Sequence, residues 1–361
     1  MKKIVTLIFC VMLILAMAGC GQSPKAADAP KSTQQAIIDK ANKAPEKQEF
    51  TPVTEVKEGR KNVYVVLKVL KGNYWSQVVQ GLKDGGQAAD CNVYVGGPYK
   101  EVNWQAQREM LKELAAKKAD ALVLAPSDSV QLIPAVEELR KSKLPVVLID
   151  TGLNTKNYSA AYMTNNFDAG SKAAEEMLKL LRANGLKDTD KATVAIKVSS
   201  LKSQNMVERI EGANAYWQAK APSAWRLEPK AMVDYGDKAL SMELSQKALK
   251  EIGDLKGFIS CNNSTTLNAA EAILASKRKD VVLVGFDYAK ATAAVIANPE
   301  IKAVSIVQNQ YNMGYDGVNM AAELAKGNGA KAEQVNVDTG IGVVTIENYK
   351  AYEAKLADRA K

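Results

Sequence analysis

The sequence predicts an α/β protein built as two lobes, each a doubly wound parallel sheet covered by helices. Three observations carry that reading. Short continuous apolar runs recur along the chain, the composition of strands buried on both faces. Segments of helical period separate them, so strands and helices alternate. The pattern runs twice within 361 residues, and a single sheet holding all those strands would be very wide. A composition that is 47% hydrophobic and 24% charged supports a sizeable core rather than disorder.

The first residues stand outside this pattern. Lys2 and Lys3 precede an apolar run from Ile4 to Ala18 that is too short to span a bilayer, so residues 1–19 are expected to be a secretory signal. Met17-Ala18-Gly19-Cys20 resembles a bacterial lipobox, which makes Cys20 the expected lipidated N-terminus, with a plain signal peptide as the alternative. Loss of Lys2 and Lys3 would lower the net charge from +8 to +6. Residues 20–60 are rich in Lys, Ala, Pro, Gln and Glu and are expected to form a flexible tether, with at most a frayed helical turn over Gln34 to Lys43. Cys91 and Cys261 remain, in different lobes, and read as buried free thiols.

The first lobe is expected to open with the strand Val63 to Leu67. It continues through a helix from Trp75 to Ala89, a strand from Cys91 to Val95 and a helix from Gln105 to Lys117. Ala121 to Leu124, Pro145 to Ile149 and Ala160 to Met163 are further strands, with a helix from Val130 to Arg140 among them and another from Asp168 to Arg182 after them. The pattern then restarts. Thr193 to Val198, Met232 to Val233, Gly257 to Ser260, Val281 to Phe286, Ala303 to Val307 and Val343 to Ile346 are expected strands. Helices are expected at Asn205 to Lys220, Leu240 to Ile252, Thr265 to Ala275, Ala289 to Ala297 and Met313 to Lys326.

In open α/β sheets, ligands sit beyond the carboxyl ends of the strands, so strand-end residues are the ones to read for chemistry. Tyr74 and Trp75 follow the first strand in a chain with only 6% aromatics, and an aromatic face suits the C–H face of a sugar ring. Helix-start packing is the competing reading of that pair. Other strand ends carry Pro126-Ser127-Asp128-Ser129, Asp150, Asn165-Asn166, Ser199-Ser200, Asn262-Asn263, Asp287 and Gln308. Helix capping accounts for some of these, most readily Asp128 and Asp168, but carboxylates and amides at nearly every strand end exceed what capping requires. Such groups pair with vicinal hydroxyls through charge-assisted bonds. The chain contains no histidine, which excludes Ser-His-Asp and Cys-His catalysis and imidazole zinc sites. The charges are interspersed, so the positive balance reads as a mildly basic surface rather than a nucleic-acid footprint.

In order and spacing, these motifs resemble the periplasmic sugar-binding proteins of the ribose-binding branch, the type I, lactose-repressor-like fold. The resemblance runs from Lys61 to about Tyr352. The motifs are Tyr74-Trp75, Pro126 to Ser129, Leu144 to Asp150, Glu208-Arg209-Ile210-Glu211-Gly212, Cys261-Asn262-Asn263, Val284-Gly285-Phe286-Asp287, and Ile306-Val307-Gln308 ahead of Gly314. The resemblance implies a three-crossing hinge, with passages near Thr164, Gln308 and Val335. Residues 61–164 and 309–335 would then form one lobe, and 165–308 and 336–361 the other. It further implies that Tyr74 and Trp75 stack on the ligand while Asp150, Arg209, Asn262, Asp287 and Gln308 bond its hydroxyls. Asp128 and Asn165 are added as candidates from their strand ends.

The chain departs from the ribose pattern at Thr151, where arginine is usual, at Ala125 in place of asparagine, and at Asn263 in place of an acid. Lys68 and Gly97-Pro98 look more like the rhamnose and autoinducer-2 binding relatives. Lys68 is therefore a candidate ligand contact, with a solvated strand-end lysine as the alternative. The implied function is a monomeric, lipid-anchored, extracytoplasmic solute-binding protein that closes on a sugar and delivers it to an ABC permease, without cofactor, metal or nucleic acid. A sensor docked to a membrane kinase or chemoreceptor is the alternative. A glycosidase would need Asp150 and Asp287 about 5–9.5 Å apart across a bond and ranks last.

Overall fold

The computed structural model describes Ala36 and residues 46–327 and 334–359. The expected signal, Cys20 and the helical turn over 34–43 (apart from Ala36) lie outside the described residues.

The first sheet contains β1 (Lys47–Pro52), β2 (Asn62–Val66), β3 (Asn92–Pro98), β4 (Ala121–Leu124), β5 (Val146–Ile149), β6 (Ala160–Met163) and β13 (Val335–Asp338). Their spatial order is β1-β3-β2-β4-β5-β6-β13, parallel except for β1. The second sheet contains β7 (Ala192–Val198), β8 (Trp225–Leu227), β9 (Met232–Val233), β10 (Leu255–Ser260), β11 (Val282–Phe286), β12 (Ala303–Gln308) and β14 (Ile341–Val344). Its order is β14-β12-β11-β10-β7-β8, with β9 on the far end of β7 and only β14 antiparallel.

Each sheet is buried on both faces, which explains the unbroken apolar runs. Along β2, Val63 and Val65 face α1 (Asn73–Ala88) and α9 (Gln310–Ala325), whereas Tyr64 and Val66 face α2 (Trp104–Glu113) and α3 (Ile133–Lys141). In the second lobe, Val194 and Ile196 pack under α4 (Asn166–Ala183) and α5 (Gln204–Lys220), while Ala195 faces α6 (Lys238–Glu251) and α7 (Asn263–Ser276). Short α8 (Lys290–Ile296) and C-terminal α10 (Tyr349–Arg359) cover a smaller cluster around Tyr288 and Val307.

The chain passes between lobes three times: after β6, after β12, and between β13 and β14. The third passage falls at Thr339-Gly340, so Asn336 to Asp338, expected in the second lobe, pair with β6 in the first. The expected tether also needs correction. Its last part forms β1, an edge strand antiparallel to β3, because Phe50 packs edge-on against Tyr64 at 5.0 Å and Lys47 pairs with Glu113. Thr54 then ties the following segment to β3 by accepting from Val93 N–H at 2.9 Å. Cys91 and Cys261 are free and buried, and burial pushes their thiols up to about 11 and about 12.

Candidate functional site

The carboxyl ends of the two sheets face one another across a cavity of about 170 Å³. One carboxylate from each lobe stands at its centre. Asp150 follows β5 and Asp287 follows β11, and both have left-handed backbones, with φ of 65° and 67°. Asp and Asn tolerate this conformation better than other residues with a Cβ, because a short polar side chain can bond locally. The kink aims each carboxylate into the cleft rather than along its sheet.

Asp150 is embedded in donors. Its Oδ1 accepts from the Tyr74 hydroxyl at 2.7 Å, and its Oδ2 accepts from Thr151 Oγ1 at 2.7 Å and pairs with Lys68 Nζ at 2.7 Å. Burial pushes the Asp150 carboxyl up, but Lys68 and these hydrogen bonds outweigh it and hold the group below its usual range. The same burial and the neighbouring carboxylate push the Tyr74 hydroxyl well up, so Tyr74 remains a donor. Asp287 accepts from Gln308 Nε2 at 2.7 Å and from the Asn263 backbone N–H at 3.2 Å. Burial raises its pKa, and Arg209 only partly opposes that. Gln308 also accepts from Thr164 Oγ1 at 3.0 Å, which links Asp287 to the residue at the first interlobe passage.

Arg209 lies on α5 and is 1% exposed. Its Nε donates to Asn166 Oδ1 at 3.0 Å, its Nη1 donates to the Cys261 carbonyl at 2.6 Å, and its guanidinium lies 4.2 Å from the Phe286 ring centroid. Its Nη2, however, has no partner among the described residues. The same is true of Asn205 Oδ1 and Asn263 Nδ2, which also border the cavity. Buried polar atoms are rarely left unpaired, and three of them on residues that border one hollow have bonding capacity to spare for a guest. On the opposite wall, Tyr74 and Trp75 occupy the first turn of α1, edge to face at 5.1 Å. Gly72, with φ of 97°, precedes them and lets the chain turn sharply into the helix.

Seven expected residues therefore border one cavity: Tyr74, Trp75, Asp150, Arg209, Asn262, Asp287 and Gln308. Three do not. Lys68 is buried behind Asp150, donating to Thr151 Oγ1 at 2.6 Å, so it does not border the cavity and is not solvated. Asp128 spends Oδ1 on the backbone N–H groups of Val130 and Gln131, both at 2.9 Å. Asn165 caps α4 by accepting from Asp168 N–H at 3.2 Å, and its own N–H donates to Asp338 beside the third passage. For both, local hydrogen bonding by a short polar side chain wins over the cleft.

Glu101, Asn205 and Met206 also border the cavity and were not anticipated. Asn205 could have been found, because it precedes Arg209 by one helical turn and so shares its face. Glu101 comes from the loop after β3. Burial pushes its carboxyl up to about 7, with Lys68 opposing and Asp150, Asp287 and Asp234 adding to the rise. No group of three or more potential metal-ligating side chains occurs among the described residues.

Residues 63–329 match the family described as periplasmic binding protein domain. The chain belongs to the periplasmic binding protein family. One relative is the D-allose-binding periplasmic protein of Escherichia coli (strain K12), 23% identical over 73% of this chain and 84% of that protein. Among solved structures, an Agrobacterium radiobacter carbohydrate transporter solute-binding protein in complex with D-arabinose superposes with a TM-score of 0.74. It shares 24% identity and covers 83% of this chain and 99% of its own. An ABC transporter solute-binding protein of Agrobacterium vitis with bound D-fucose gives a TM-score of 0.71 at 27% identity, covering 81% and 98%.

As a periplasmic binding protein, the chain has its cavity walled by both lobes. The wall offers one apolar aromatic face, several carboxylate and amide acceptors, and a guanidinium with a free N–H. A neutral guest with an apolar face and a rim of hydroxyl groups matches all three.

Proposed function

We propose that this protein captures a single sugar between its lobes by hinge closure and delivers it to an ABC permease, held by lipid on Cys20 at the cell surface or in the periplasm. The observation that carries the reading is the trio Arg209 Nη2, Asn205 Oδ1 and Asn263 Nδ2, unpaired among the described residues and bordering one small hollow together with Trp75 and two aspartates. At about 170 Å³ the cavity is well below the ~300–1,000 Å³ of sites for drug-sized molecules and suits one small ring. The monosaccharides named for the three relatives support the same ligand class. Because the ligand bonds to both lobes, it stabilises the closed state through contacts that the open state lacks. Thr151 in place of the arginine usual in ribose binders removes one fixed charge, which favours a sugar other than ribose.

The test is a thermal-shift screen over pentoses, hexoses, deoxy sugars, polyols and nucleosides, repeated with Trp75→Ala and Asp287→Asn. Asparagine is chosen at 287 because it keeps the left-handed backbone accessible. At least one sugar should raise the melting temperature of the parent, and both variants should lose the response while their ligand-free melting stays cooperative. Loss of one charge-assisted bond is about 1.5–3 kcal/mol, or roughly 10- to 150-fold in affinity. A parent that responds to no sugar, or variants that respond as the parent does, would overturn the proposal.

A further inference from the structure

Pro126-Ser127-Asp128-Ser129 follows β4 but borders no part of the cavity, so ligand binding does not explain it. Its surroundings do. The loop meets residues Lys202 to Gln204, which lead into α5 in the other lobe. Ser129 N–H donates to the Lys202 carbonyl at 2.9 Å, and Gln204 N–H donates to Ser129 Oγ at 2.9 Å. Ser203 Oγ donates to the Ser127 carbonyl at 3.4 Å.

The Ser129 hydroxyl is held on both sides, since it also donates to the Gly152 carbonyl of its own lobe at 2.8 Å. Ser127, Ser129 and Ser203 are all buried at the seam. Asp128, through its bonds to Val130 and Gln131, fixes the loop that presents Ser129. Gly152 leaves room for the approach, because a Cβ there would lie 2.1 Å from Gln204 Oε1. None of these contacts belongs to the three hinge passages, and none involves a residue that borders the cavity.

We propose that Ser127 to Ser129 and Lys202 to Gln204 form a clasp that joins the lobes directly, so that closure has a set equilibrium even without ligand and the affinity for any ligand scales with it. In an open molecule, water satisfies the same groups. Removing a clasp hydroxyl therefore penalises the closed state more than the open one, because only the closed state loses the interlobe bond. Apparent affinity falls in proportion to the closed-competent population. The clasp acts through α5, whose Asn205 and Arg209 face the cavity, so Ser129 is a positioning residue and not a ligand contact.

The experiment compares the parent with Ser129→Ala and Ser203→Ala, each carrying a fluorophore pair at the exposed Lys141 and Lys247, one on each lobe. In ligand-free protein, both variants should move the interlobe distance distribution toward the open state. With any ligand that binds, the dissociation constant should rise about three- to tenfold by the same factor for every ligand, the mark of a closure effect rather than a lost contact. Unchanged distance distributions in both variants, or a loss that differs from ligand to ligand, would overturn the clasp. Because the ligand-free distances need no sugar, failure of the sugar assignment leaves this test standing. Cooperative melting of Ser203→Ala guards against misfolding of Ser129→Ala.

Discussion

Glu101 differs from the other two carboxylates of the cleft in having no ion pair or hydrogen bond among the described residues. Burial is the main cause of its rise to about 7, from an unfolded value of 4.5. Between those values the folded protein holds a proton that the unfolded chain has released. Stability from this group is therefore full below about 4.5 and is lost as pH rises through about 7. Glu101→Gln removes the dependence, so its melting temperature should exceed the parent's at pH 8 and approach it at pH 5, read by thermal unfolding in matched buffers. A constant difference across that range would contradict the assignment. The contrast with Asp150, which burial also disfavours but Lys68 rescues, was not legible in the sequence. Lys68 and Asp150 are 82 positions apart, and only the fold brings their charges to 2.7 Å. Asp150 and Asp287 themselves were legible, because each directly follows an apolar strand.

Glycines set the helix pairs that flank each half of the cleft. In α4 and α5, a Cβ on Gly212 would come within 1.9 Å of the Phe167 carbonyl and one on Gly170 within 2.1 Å of the Arg209 carbonyl. The first lobe repeats the device in α1 and α9, where a Cβ on Gly81 would lie 2.1 Å from the Tyr311 carbonyl and one on Gly314 2.3 Å from the Val78 carbonyl. The atoms met are backbone, so neither helix can yield by a rotamer change. Gly212→Ala should therefore cost about 1–3 kcal/mol through forced separation of the helices. It should also weaken the ligand response, since Arg209 lies one turn away. Calorimetry with and without ligand checks both effects, and an unchanged melting temperature would refute the packing argument. At this scale the core strands and helices were legible from continuous apolar runs and helical period. The elements that escaped are short or polar. β8 has three residues, and β13, Val-Asn-Val-Asp, is largely exposed along a sheet edge. β1 sits in a segment whose composition reads as linker until Phe50 finds Tyr64. Edge strands need only one apolar face, so they lack the continuous runs that marked the rest.

For the whole molecule, the two-lobed plan followed from the repeated strand–helix pattern, whereas the interlobe passages came from the family resemblance, and the last of them was displaced by a few residues. Among the described residues no helix is long and apolar enough to cross a membrane. Cys20→Ser should release the protein from the membrane fraction into the soluble fraction on cell fractionation, and retention would count against lipidation there. The matching left-handed bends at Asp150 and Asp287 reach further than the present ligand. Most residues with a Cβ would bear a conformational penalty of about 1–2 kcal/mol at either bend. A lineage adapting to a new nutrient can thus vary Glu101, Thr151 or Asn205 with little backbone cost, whereas at these two corners aspartate, asparagine and glycine carry the smallest backbone penalty. Changes of diet should accumulate around those corners and spare the corners themselves.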